Sequence, residues 1–321
     1  QNRLKMKINP FVISLLLAIL VAYLFPQLGD FVPLKLITDI GIGLIFFFYG
    51  LKLSVSELKL GMSNYKLHAL IQLTTFLLFP ALVFIAYPFL KDTAAEDYWL
   101  AFFFLAALPS TVSSSVVMVS LAKGNIPAAI FNASLSGIIG VIITPFWLGF
   151  FLDASEGFSF TDVFLKLLYQ IIIPLVLGFA LHRTLEAFVN RYKSKLSLFD
   201  KSIIVLIVYD SFSKSFLANI FNDLDFLDLG LILLCVLALF FAVYGMTGWI
   251  SNLFNFNRED KITARFCGSK KSLVHGSVMA NIIFGNSAGA GLFLLPIMLF
   301  HISQLILISV FAERYAKEVE D

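Results

Sequence analysis

Two polar stretches sit inside apolar runs long enough to cross a membrane. Residues 109–123 read PSTVSSSVVMVSLAK and set Pro109 and a knot of hydroxyls, including Ser113, Ser114 and Ser115, into the run 98–121. Residues 267–285 read CGSKKSLVHGSVMANIIFG and carry Ser269, Lys270, Lys271, Ser272 and His275 in the run 263–285. Lipid offers such groups no water, so at that depth they are packed, wetted or functional. Helix ends broken at mid-run would free carbonyls for a cation and N–H groups for an anion. The serine hydroxyls add the oxygen ligands a hard cation prefers.

Each stretch also has a plainer reading. Serine and glycine in membrane helices allow close packing, and Lys270 and Lys271 could be loop residues at a helix end. The 14 residues from Ser272 to Gly285 rise only ~21 Å as a helix against a hydrocarbon layer of about 30 Å. The run must therefore borrow from one side. Borrowing N-terminally buries the lysines, whereas borrowing from NSAGA leaves them at the edge. In a continuous helix Lys271 and His275 share a face and Lys270 points about 100° away, which makes Lys271 the expected inward lysine.

Asn132, Ser136, Gly140 and Thr144 recur every fourth residue along one helical face. Gly140 and Thr144 fit a packing role, whereas Asn132 is larger and costly to bury, which favours a polar cavity. Asp210 and Lys214 lie mid-run at a spacing that allows an intrahelical ion pair. They either satisfy each other or line a cavity. The four histidines show no metal-ligand spacing, and Cys235 and Cys267 support neither a disulfide nor a structural metal site.

The elements that must position these residues are spans. The chain has 321 residues, 59% hydrophobic and 14% charged, where a soluble domain carries about 25% charged. Ten apolar runs can be placed, at 9–26, 37–51, 67–90, 98–121, 126–152, 163–181, 203–221, 229–252, 263–285 and 290–312. The first follows RLKMK but has no small-residue cleavage site, and it reads as a span. Of the 23 Lys and Arg residues, 17 fall in the termini and even-numbered loops and 2, Lys35 and Lys91, in the odd-numbered loops. Positive loops mark the cytoplasmic side, so both termini are expected there. The basic residues serve orientation, and the net charge of +2 does not point to nucleic acid.

Residues 182–202 form the longest polar connection and divide the runs five and five. Five is odd, so a second half built like the first enters from the opposite side, as in inverted-repeat transporters. The two polar interruptions then occupy the fourth span of each half.

LPSTVSSSVVMVSLAKGN, AAIFNASLSG, ITP, KKSLVHGSVM and IGLIFFFYGLKLS together resemble the bile acid:sodium symporter family, in its divergent YfeH-like branch. The resemblance covers most of the chain. It implies an all-α membrane protein of ten transmembrane helices in two inverted five-helix repeats. Spans 1, 2, 6 and 7 would form a panel domain, and 3, 4, 5, 8, 9 and 10 a core in which broken spans four and nine cross. Residues 1–182 would hold the first repeat and the start of the second, and residues 183–321 the remainder. Sodium-transporting relatives bind two ions in the core. Their span-four motif falls on Pro109–Ser115, which implies a sodium site near Ser114 and Ser115. Their span-five ligands fall on Ala129 and Ala133, beside Asn132 and Ser134. Their span-three glutamine falls near Thr75, one turn after Gln72.

Span nine departs from that pattern. Sodium-binding relatives carry a glutamate and a glutamine there, whereas no carboxylate occurs from Cys267 to Gly289 and two lysines stand in the stretch. An ammonium 4 Å from sodium costs about 4 kcal/mol at an effective dielectric of 20. Sodium coupling is therefore not inherited with the fold; the lysine replaces a cation or titrates. The expected function is secondary transport of a small amphipathic organic anion, with sodium or proton coupling open, across a bacterial inner membrane. The resemblance also allows a regulator of calcium homeostasis that transports little. An intramembrane enzyme lacks a catalytic constellation, and no other cofactor is implied.

Overall fold

The computed structural model describes residues 10–53, 61–152, 160–222, 224–285 and 289–318, which are helix and connecting turn throughout. Helices α1 (Pro10–Leu24), α2 (Leu34–Leu51), α3 (Tyr65–Leu90), α4 (Glu96–Ala107), α5 (Ser113–Leu121) and α6 (Ile126–Leu148) come first. They are followed by α7 (Thr161–Ala180), α8 (His182–Leu217), α9 (Phe226–Leu253), α10 (Arg258–Gly268), α11 (Leu273–Phe284) and α12 (Ala290–Lys317). Among these, α2, α3, α6, α7, α9 and α12 are long and apolar enough to cross a membrane, and α1 is a shorter apolar helix. The side chain of Ser113 lies outside the described residues, as do Asn286, Ser287 and Ala288 of the NSAGA segment.

The outer surface is what lipid requires. On α9 the side chains of Leu231, Leu234, Phe241, Trp249 and Leu253 are all exposed. A helix apolar all round belongs in a membrane or a large core. By contrast α4 is buried from Phe103 to its end at Ala107, and α11 is buried at Leu273 and from His275 to Ala280. The two interrupted helices are thus interior elements.

The polar connection at 182–202 is itself helical, continuing into α8 with a kink at Tyr192 (φ −109°, ψ 15°). No glycine or proline occurs between His182 and Leu217, so nothing in the segment ends the helix.

Near the basic loops three helix starts are tied together. Asn64, Asn125 and Asn257 cap α3, α6 and α10. The amides of Asn64 and Asn125 also donate to the Asp260 carboxylate, at 2.7 and 2.8 Å. The carboxylate sits among helix N-termini, where the helix dipole favours negative charge.

Candidate ion and substrate site at two helix interruptions

Proline placement creates the site. Pro109 forces Leu108 into an extended conformation (ψ 152°), and α4 stops at Ala107. Its last carbonyls then need partners from elsewhere. Thr144 Oγ1 donates to Ala107 O at 2.8 Å, Lys271 Nζ to Ala106 O at 2.6 Å and Leu108 O at 2.7 Å, and Ser272 N to Pro109 O at 2.9 Å. Two of those donors belong to the other interruption, between α10 and α11. In return Ser110 Oγ donates to Cys267 O at 2.6 Å, and Ser110 N donates to Ser136 Oγ at 2.9 Å. The two breaks therefore satisfy each other's backbone.

A third acceptor comes from α3. Residues Thr74–Leu78 form a π-turn in which Phe79 N bonds Thr74 O, and Pro80 follows. Pro80 has no N–H to offer Thr75 or Phe76. Lys271 Nζ donates to the freed Thr75 O at 2.7 Å, and Trp147 Nε1 donates to Phe76 O at 2.9 Å. The Lys271 ammonium thus places three donors on three carbonyls, which is its full complement, and lies 4.1 Å from the centre of the Phe79 ring. Two of those carbonyls belong to the C-terminal end of α4, where a positive charge is favoured. Gln304 clamps the peptide of Lys271, accepting from its N–H and donating to its carbonyl, both at 2.8 Å.

Both lysines are buried, Lys270 at 0% and Lys271 at 1% exposure, yet their surroundings differ. Lys270 Nζ has no hydrogen-bond partner among the described residues. The helical-face expectation that selected Lys271 needs correction, because α11 begins only at Leu273 with Ser272 as its N-cap. Lys271 enters the crossing from non-helical backbone and shares no helix with His275.

The remaining candidate residues fall into separate groups. Ser114 Oγ donates to Thr111 Oγ1 at 2.9 Å, and Thr111 and Ser115 hydroxyls pair at 2.7 Å. Asn132 is engaged by Gln72 Nε2, at 3.1 Å to its side-chain oxygen, and by His68 Nδ1 at 2.8 Å. Among the described residues it makes no hydrogen bond to either lysine. Ser134 and Ser136 are buried on α6, and Ser269 Oγ donates to Arg265 O at 2.6 Å. His275 Nδ1 lies 3.0 Å from Ser272 Oγ, its Nε2 has no hydrogen-bond partner among the described residues, and its ring meets Phe46 and Tyr49 edge-on. Asp210 and Lys214 form an ion pair at 2.7 Å, lining a cavity away from the crossing. Thr75 contributes its carbonyl and not its hydroxyl, which bonds Ile71 O at 2.8 Å. Gln304 and Phe79 escaped sequence reasoning, and Ser110 entered it only as part of the Pro109–Ser115 motif. Gln304 carried a usable signal as a glutamine inside an apolar run, three residues from His301.

Thr144 is more than a small packing residue. Thr144→Ala strands the buried Ala107 carbonyl, and a loss of about 1–3 kcal/mol of stability is expected. Unfolding midpoints of the purified variants check this, with Thr144→Ser retaining most of the wild-type value.

The chain is similar to known proteins along nearly its whole length. The model of the SBF-like CPA transporter family matches residues 9–317. The uncharacterized protein PA2026 of Pseudomonas aeruginosa is 38% identical over 97% of this chain and 94% of its own length. YfeH of Escherichia coli is 33% identical over 98% of this chain and 94% of its own. The sodium/bile acid cotransporter 7 of Rattus norvegicus is 31% identical over 94% of this chain and 90% of its own. By these matches along nearly its whole length, and with its apolar helices, the chain belongs to the SBF-like CPA transporter family, in the YfeH-like branch of the bile acid:sodium symporters, and is a multi-pass membrane transporter and not an enzyme.

Proposed function

We propose that the protein is a ten-span secondary transporter that moves a small amphipathic organic anion by alternating access. In this reading α4 with α5 and α10 with α11 are the fourth span of each inverted half. Helices α1, α2, α7 and α8 form the panel, and the others form the core. The charge split of the loops supports cytoplasmic termini, and the bacterial relatives support a bacterial inner membrane. The observation that carries the proposal is the meeting of the two interruptions around Lys271. Unwound segments of corresponding spans are where such transporters bind their cargo.

Sodium does not fit the crossing. Its place among the Thr75, Ala106 and Leu108 carbonyls is taken by a lysine ammonium. The hydroxyls of Thr111, Ser114 and Ser115 bond one another. We therefore assign Lys271 as the fixed cation of the core, which holds the two breaks together without sodium.

Uptake by proteoliposomes tests the function. A labelled alkyl sulfonate should accumulate under an imposed pH gradient or membrane potential, and adding a sodium gradient should not increase the rate. Proteoliposomes that take up no organic anion under any gradient would overturn transport in favour of a regulatory role.

A further inference from the structure

A second polar cluster lies away from the crossing, at the helix ends opposite the basic loops. The turn before α2, the start of α7, the end of α8 and the end of α11 enclose a cavity of about 290 Å³ and an adjoining one of about 70 Å³. The two share Lys35, Asp210 and Lys214 in their walls. The smaller also has Asp39, Lys166 and Gln170 in its wall, so among the described residues the charged side chains around the pair are three lysines and two aspartates. The excess is positive.

Ser213, which lines the larger cavity, and Gln170, which lines the smaller, each carry a buried atom, Oγ and Oε1, with no hydrogen-bond partner among the described residues. A hydroxyl rotates to donate, and an amide can turn its N–H2 to the same place. Unsatisfied buried polar groups call for a partner. The remaining wall of the larger cavity is apolar, with Pro33, Leu34 and Leu217. A positive, donor-bearing end beside an apolar wall is the arrangement of a small-molecule pocket, and 290 Å³ sits at the small end of that range.

Lys214 links the cavity to the crossing. Besides Asp210 at 2.7 Å, its ammonium donates to Gly285 O at 3.0 Å. Gly285 is the C-cap of α11, the helix whose N-cap, Ser272, adjoins Lys271. An ammonium carries three donors, so an oxyanion can take the third without displacing Asp210 or Gly285 O.

We infer that this cavity is an entry site for the oxyanion head, carboxylate or sulfonate, of an amphipathic organic monoanion. Lys35, Lys166 and Lys214 hold the head, and Pro33, Leu34 and Leu217 cover the start of the apolar tail. The inference rests on the anion-transport reading for its physiological meaning, but its test is separate.

The test is octanesulfonate binding to the full chain in nanodiscs of zwitterionic lipid, followed by calorimetry. Wild-type protein should bind saturably and more weakly as salt rises, and octyltrimethylammonium should not compete. The double variant Lys35→Gln, Lys166→Gln replaces two exposed residues and should keep the unfolding midpoint. Its dissociation constant should rise about tenfold, the change produced by ~1.4 kcal/mol. No binding by the wild type, or equal binding by the double variant, would overturn the site. Binding lost in the double variant of a chain that carries no anion across proteoliposomes would sustain the site and overturn the transport reading. Uptake by a chain whose double variant binds equally well would do the reverse.

Discussion

Lys271→Met should lower the unfolding midpoint steeply and stop uptake, whereas Lys270→Met should leave the midpoint level or raise it. The two side chains are adjacent and equally buried, so burial alone predicts no contrast. Hydrogen bonding predicts a large one. Removing the Lys271 ammonium strands the carbonyls of Thr75, Ala106 and Leu108 and forfeits its contact with the Phe79 ring. At about 1–3 kcal/mol for each stranded acceptor, the loss is roughly 3–9 kcal/mol. That is comparable with the whole stability of an ordinary domain, about 5–15 kcal/mol. Lys270 has no hydrogen-bond partner among the described residues, and replacing an uncompensated buried amine by an apolar chain of similar volume removes a cost. Thermal unfolding of the three purified proteins reads the contrast. Equal midpoints for the two variants would contradict the carbonyl cage.

A large loss is also expected from Gly178→Ala or Gly50→Ala, where α2 packs on α7. Helices α2 and α7 touch backbone to backbone at these two glycines. A Cβ at Gly178 would lie 2.0 Å from Phe47 O, and one at Gly50 would lie 2.1 Å from Leu175 O and 2.8 Å from Phe179 N. Main-chain atoms cannot rotate away as a side-chain tip can, so the two helices must separate along their length. Overpacking a tight interface costs about 1–3 kcal/mol or more, and a clash with backbone belongs at the upper end. Gly230→Ala and Gly245→Ala on α9 are the controls, with open space where the new methyl would go. Alanine is the better helix former by about 0.8–1.0 kcal/mol, so these two should hold or raise the midpoint. Yield and monodispersity after purification, with unfolding midpoints, distinguish the pairs.

The helices were legible because apolar runs and loop charges are written in side chains. Described helix occupies most of each apolar run from 9–26 to 290–312, six of the helices are long and apolar enough to cross a membrane, and both polar interruptions fall where helices break. The proline at 109 and the serine at 272 announce those breaks by simple rules for helix ends. The partners of Lys271 were not legible, because they are carbonyls, and every residue carries a carbonyl. Only the π-turn ahead of Pro80 frees Thr75 O, and that freedom becomes visible once the backbone is traced. Thr75 itself drew notice only as the position nearest the relatives' glutamine, and its hydroxyl bonds Ile71 O. Asn132 was expected in a polar cavity and lies fully buried between Gln72 and His68, because helical periodicity gives the face of a residue but not which neighbour it meets. The pairing of Ser110 with Cys267, 157 residues apart, is a contact between the two halves that spacing alone could not single out.

The most direct measurement is the unfolding midpoint as a function of sodium, at ionic strength held constant with choline, for wild type and Lys271→Ala. A ligand that binds only the folded state raises the midpoint as its concentration climbs past its dissociation constant. The wild type should be level across the titration, because the ammonium of Lys271 already takes the three carbonyls. Lys271→Ala should begin far lower and recover part of the loss as sodium, or methylammonium, enters the emptied cage. A saturable sodium-dependent rise in the wild type, with none in Lys271→Ala, would contradict the assignment of Lys271 as the fixed cation of the core.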